Sequence, residues 1–69
     1  MIRVELNGEA RVLHDGASVA DAVELLGGPR DARGVAVAVD PAVVRRADWA
    51  ETPLATGARV EILTAIQGG

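Results

Sequence analysis

The chain has 69 residues, 34 of them apolar, with a net charge of −3 and no cysteine, which is enough for one small core and leaves no room for a second domain. A chain this short buries only about 60% of the surface its unfolded form exposes, and with His14 as its one histidine it has neither a disulfide staple nor a Cys/His metal site to supplement that core. Seven Arg stand against ten Asp plus Glu, which argues against nucleic acid as the main partner, and the longest apolar run, 35–39, is too short for a membrane span or a signal-peptide core, so a cytoplasmic protein is expected.

Residues 2–6 alternate, with Ile2, Val4 and Leu6 on one side and Arg3 and Glu5 on the other, the period of a strand with one buried face. Asn7-Gly8 tolerates the positive φ angles of a type I′ turn, so 9–13 should return antiparallel as the second strand of a hairpin. Asp15-Gly16 breaks that strand. Ser18 with Asp21 three residues on reads as a helix N-cap with an acid in the first turn. Val19, Ala22, Val23 and Leu26 then fall at i, i+3, i+4 and i+7, an apolar stripe that predicts a helix, while Asp21 and Glu24 face water. Gly27-Gly28-Pro29 ends it, because glycine accepts a left-handed cap and proline cannot continue the ladder.

Residues 30–34 form a polar link. A third strand is predicted over 35–39, with Val35, Val37 and Val39 on one face and Ala36 and Ala38 on the other. Asp40-Pro41 turns the chain into a short fourth strand at Val43-Val44. The stretch 45–58 loses periodicity apart from one helical turn around 47–50, and the last strand, 59–66, sets Val60, Ile62, Thr64 and Ile66 on one face against Glu61, Leu63 and Ala65 on the other. The order strand, strand, helix, strand, short strand, strand predicts an α+β fold, a mixed sheet of four or five strands with one helix packed across one face and at least one parallel pair. One helix covers one face only. The other is left to solvent or a partner, and Arg3, Glu5 and Glu61 suit the solvated part.

Among the remaining candidates, Trp49 is expected to pack under the long connection, with its indole N–H on a backbone oxygen, rather than to meet a partner. His14 reads as a surface residue, and Arg45-Arg46 as a solvated charge pair. Leu63 is the sharper case, an apolar side chain on the open face six residues from Gly69.

After the last strand the sequence reads Gln67-Gly68-Gly69. Residues without side chains can thread a narrow channel in extended form, and a terminal carboxylate with a pKa of about 3.5 is ionised at neutral pH and able to attack the α-phosphate of ATP. The stretch Val39-Asp40-Pro41-Ala42-Val43-Val44-Arg45-Arg46-Ala47-Asp48-Trp49-Ala50, followed by Leu54, Gly57 and Val60-Glu61-Ile62-Leu63-Thr64-Ala65-Ile66-Gln67-Gly68-Gly69, resembles the ThiS family, the thiamine-pathway sulfur carriers of ubiquitin-like β-grasp fold. The resemblance runs through the whole chain, specific in the second half and generic in the first, and Ala58 departs from it where an acid is usual.

That resemblance implies a β-grasp domain over 1–67 with a flexible tail at 68–69, and a protein that is a substrate rather than an enzyme. Gly69 would be the group adenylated and converted to a thiocarboxylate, with Gln67 and Gly68 as the tail behind it. It implies no bound cofactor and no metal: ATP and magnesium belong to a ubiquitin-activating-like adenylating enzyme, a persulfide donor supplies the sulfur, and thiazole synthase receives it. Leu63, Ala65 and Ile66 are the candidate partner interface. A molybdopterin-synthase small-subunit-like carrier and a ubiquitin-like protein modifier are the alternatives. The chain also has no Lys, and without Lys or Cys it lacks side-chain amines and thiolates that would capture an activated acyl group, although coding bias in a GC-rich genome is the simpler account of a sequence with 23 Ala plus Val.

Overall fold

The computed structural model describes residues 1–64. Its elements are β1 (Ile2–Leu6), β2 (Glu9–Leu13), α1 (Val19–Leu25), β3 (Val35–Val39), β4 (Ala42–Val44), a 3-10 helix (Arg46–Glu51) and β5 (Arg59–Thr64). The strands form one sheet in the order β2-β1-β5-β3-β4. This is the mixed sheet with one helix expected from the sequence, with five strands where four or five were predicted. The parallel pair is β1 with β5, and β5 is antiparallel to β3. The first and last described strands thus meet in the middle of the sheet.

The hairpin turn lies at Asn7 and Gly8, with φ of 51° and 85°, as the Asn-Gly pair requires. The start of α1 is a full capping box: the Ser18 Oγ accepts from the Asp21 N–H at 3.3 Å, and the Asp21 carboxylate accepts from the Ser18 N–H at 2.8 Å. Gly27, at φ 98°, donates its N–H to the Glu24 carbonyl and closes the helix. Arg30 reaches back to both Asp21 and Glu24, tying the link to the helix it follows.

The core holds Val4, Leu6, Val19, Val23, Val37, Val60 and Ile62, joined by Leu13, Ala17, Ala20, Ala22, Ala32, Trp49 and Leu54. Two expectations need correction. Leu26 does not complete the buried stripe of the helix: α1 ends at Leu25, and Leu26, the C-cap residue, is 43% exposed. The link at 30–34 is not wholly polar in its packing either. Ala32 is buried, close enough to Gly28 that a Cβ there would lie 3.6 Å from its own.

Trp49 packs as expected. It is 1% exposed, and its Nε1 donates to the Val44 carbonyl at 2.9 Å, which binds the 3-10 helix to the end of β4. The N-terminus of α1 is tied to the segment after that helix by the Val19 N–H on the Thr52 carbonyl and by the Ser18–Pro53 bridge. One long connection therefore closes the core below the helix.

Candidate functional site

β5 is the strand that leads to residues 65–69. It is held on both sides, by β1 through Glu5 opposite Arg59 and Leu6 opposite Val60, and by β3 along its length from Val39 opposite Val60 to Val35 opposite Thr64. Strand parity divides its side chains as the sequence predicts. Val60 and Ile62 are buried beneath the helix, while Arg59, Glu61 and Leu63 point to the open face.

The open face has two halves of different chemistry. Around β1 it is charged, with Arg3, Glu5, Arg59 and Glu61 exposed and the Arg59 guanidinium 3.8 Å from the Glu5 carboxylate. Toward β3 and β4 it is apolar. Leu63, 64% exposed, stands opposite Ala36, and Ala38 stands between Glu61 and Val43, itself 77% exposed. Because Ala36 and Ala38 are small, Leu63 and Val43 rise above a shallow floor. A pocket of about 280 Å3 opens beside Leu63, lined also by Gly34, Val35, Ala36 and Thr64, at the end of the sheet from which the chain proceeds to residue 65.

On the helix side of the same end lies a groove of about 290 Å3 between Val23, Leu26, Gly28 and Ala32 on one wall and Val35, Ile62, Thr64 and Asn7 on the other. Asn7 is the site residue that sequence reasoning misses. Its side-chain Oδ1 accepts from the Ile62 N–H at 2.7 Å, and its Nδ2 donates to the Ile62 carbonyl at 3.1 Å. The Asn-Gly pair signals a turn and nothing more; that this turn lies beside β5 is knowable only from the pairing of strands whose contacting residues are 55 positions apart.

Of the other sequence candidates, Leu63 is where it is expected, His14 is exposed with its Nε2 3.6 Å from the Asp21 carboxylate, and Arg45 pairs with Asp48 at 3.6 Å. Arg46 donates to the Asp31 carbonyl at 3.3 Å. Ala65, Ile66, Gln67, Gly68 and Gly69 lie outside the described residues. Among the described residues no three His, Cys, Asp or Glu side chains gather as metal ligands, and no helix is long and apolar enough to cross a membrane.

The Asp21 carboxyl is held below the usual carboxylate range, first by its hydrogen bond from Arg30 and then by that from the Ser18 backbone, against a smaller opposing effect of desolvation. This is a helix-capping carboxylate turned away from the open face of the sheet, and its perturbation is structural.

The ThiS family model matches residues 3–69. Among solved structures, the chain is similar to a thiamine biosynthesis protein (ThiS) from Geobacter metallireducens, with a TM-score of 0.78 and 23% identity over 99% of this chain and 100% of that one, a likeness of fold that places the same β-grasp architecture on both. No match was found among curated proteins. A family match over nearly the whole length establishes that the chain belongs to the ThiS family, the small sulfur carriers of thiamine biosynthesis, which are not catalysts themselves.

Proposed function

We propose that the chain carries sulfur as a thiocarboxylate on Gly69, made on an adenylating enzyme and delivered to thiazole synthase. The observation that carries this reading is the family match through residue 69, which includes the Gly-Gly pair. A carboxylate is a poor acyl donor, so the chemistry needs a leaving group. A Gly69 carboxylate oxygen attacks the α-phosphorus of magnesium-bound ATP on the partner enzyme, and pyrophosphate departs. The terminal sulfur of a persulfide donor then attacks the acyl carbon and AMP departs, after which a thiolate attacks the donor-side sulfur of the acyl disulfide, forming a new disulfide with the donor and releasing the thiocarboxylate as the leaving group. The carrier contributes its terminus and a surface to be held by, and it holds no cofactor of its own.

The surface is the apolar half of the open face around Leu63, and Ala65 and Ile66, which follow in the sequence, are the further candidates for contact with the partner. An enzyme that grips residues 67–69 must lie against this end of the sheet, and Leu63 above the Ala36 floor offers an apolar anchor beside a pocket. Gln67 and Gly68 are the residues the partner would grip on the way to the reacting carbon.

Intact-mass measurement of the protein from its own cells tests the reading. A fraction with one carboxyl oxygen replaced by sulfur is expected, and ATP–pyrophosphate exchange with the adenylating enzyme should require the carrier. A chain found only as the carboxylate, or joined through Gly69 to a protein amine, would refute it. Supplying the charged carrier to thiazole synthase and to molybdopterin synthase distinguishes the two acceptors.

A further inference from the structure

The ladder between β1 and β5 advances by two residues at each step: the Glu5 N–H donates to the Ala58 carbonyl at 2.9 Å, and the Asn7 N–H donates to the Val60 carbonyl at 2.9 Å. The next donor in this series should come from a residue beyond Asn7 and meet the Ile62 carbonyl. None comes from the backbone, because Asn7 at φ 51° turns the chain back into β2. Its own carboxamide supplies the bond instead. The Nδ2 donates to the Ile62 carbonyl and the Oδ1 accepts the Ile62 N–H, so one side chain takes the place of the missing peptide group and extends the grip on β5 beyond the last residue of β1.

We infer that Asn7 is a positioning residue for the carrier's terminus: its carboxamide fixes the main chain of Ile62, and with it the direction in which β5 delivers the chain toward Gly69. The inference rests on the carrier reading above. Ile62 stands opposite Val37 of β3, so with Asn7 in place the strand is braced from both sides two residues before Thr64. No other residue type meets both demands here. Glycine accepts the positive φ but has no amide, aspartate accepts it with an acceptor and no donor, and glutamine brings an amide with a longer stem and a poorer fit to φ above zero.

Function follows from where the brace acts. The partner must bring one carboxylate oxygen into line with a phosphorus atom, and a misdirected strand costs reaction frequency at every encounter, whereas the docking face around Leu63 is untouched. Loss of the brace therefore belongs in turnover rather than in affinity. A merely structural role would act differently: it would lower the folded fraction, raise the apparent KM and leave kcat at saturating carrier unchanged.

The test compares the parent with Asn7→Gly, which retains the turn and removes only the carboxamide. Amide hydrogen exchange read at Ile62 should accelerate by about tenfold in the variant while the core amides of β3 keep their protection. In ATP–pyrophosphate exchange with the carrier titrated to saturation, kcat should fall by about fivefold or more with KM changed by less than about twofold. If Asn7→Gly fails to fold, Asn7→Asp, which keeps the acceptor for the Ile62 N–H and loses only the donor to the Ile62 carbonyl, carries the kcat and KM measurement, with the exchange criterion reserved for Asn7→Gly. Unchanged exchange at Ile62, an unchanged kcat, or a loss confined to KM overturns the positioning role even where the carrier reading stands. A parent chain that cannot drive pyrophosphate exchange overturns the carrier reading itself, and with it the role of Asn7.

Discussion

Leu63 stands directly opposite Ala36 in the β3–β5 ladder, on the face that the helix does not cover. A large apolar side chain over a small one makes a ridge with nothing of the described chain above it. Leu63→Arg adds a charge to a surface already wet, and its stability should change by less than about 0.5 kcal/mol. A partner seated on that face must desolvate the new guanidinium, so affinity for the adenylating enzyme or thiazole synthase should fall by at least about tenfold, as measured by titration calorimetry. A stable variant with unaltered binding would restrict the partner's grip to the tail.

Val23 is the centre of the helix stripe and is 3% exposed. Val23→Asp places an unpaired charge in the core at a cost of several kcal/mol, against a total of about 5 kcal/mol or less for a one-core domain of this size. The variant should be unfolded at room temperature by circular dichroism. Leu26→Asp, at the exposed rim, should remain folded, and the contrast between the two checks the corrected helix face.

Deleting Gly69 should leave the thermal melt nearly unchanged, because the residue has no side chain to bury, yet abolish pyrophosphate exchange. Retained exchange would remove the terminal carboxylate from the proposed chemistry.

Acid should loosen the helix cap. Asp21 has a lower pKa folded than its ordinary value of 3.8, so it contributes stability above that value which is lost as the pH falls through the lower folded value. Thermal melts from neutral pH down to about pH 2 should show this loss, and Asp21→Asn should be less stable than the parent at neutral pH with a flatter acid limb. An identical acid limb in the two proteins would mean that other carboxylates govern it.

Much of this architecture is legible in the sequence because local rules and tertiary structure agree. The alternation at Ile2, Val4 and Leu6, the Asn7-Gly8 turn and the Ser18–Asp21 cap each state their own conformation. The parity of β5 places Leu63 outside and Ile62 inside without reference to the rest of the chain. Leu26 escapes such rules because helical periodicity does not say where a helix stops, and here the left-handed turn at Gly27 ends α1 at Leu25 and leaves Leu26 as its cap. Asn7 announces only its backbone conformation. Its second role depends on β5 lying parallel to β1 and running past its end, a relationship between strands far apart in the chain that no window of sequence contains.

The strand order carries a consequence for how the protein comes into being. β1 and β3 are not neighbours; each bonds to β5, and β5 is the last described strand to be synthesised. Until it is inserted, the hairpin of β1 with β2 and that of β3 with β4 have no strand pairing to one another among the described residues, and the β1–β5 half of the connection, Glu5 opposite Arg59 and Leu6 opposite Val60, joins positions near the two ends of the described chain. A nascent chain, or one cut short before residue 59, would therefore remain two loose hairpins and a short helix, open to proteolysis. Assembly of the sheet and delivery of a chain toward Gly69 become a single event, so that the sheet is complete only when the segment leading toward Gly69 has been made.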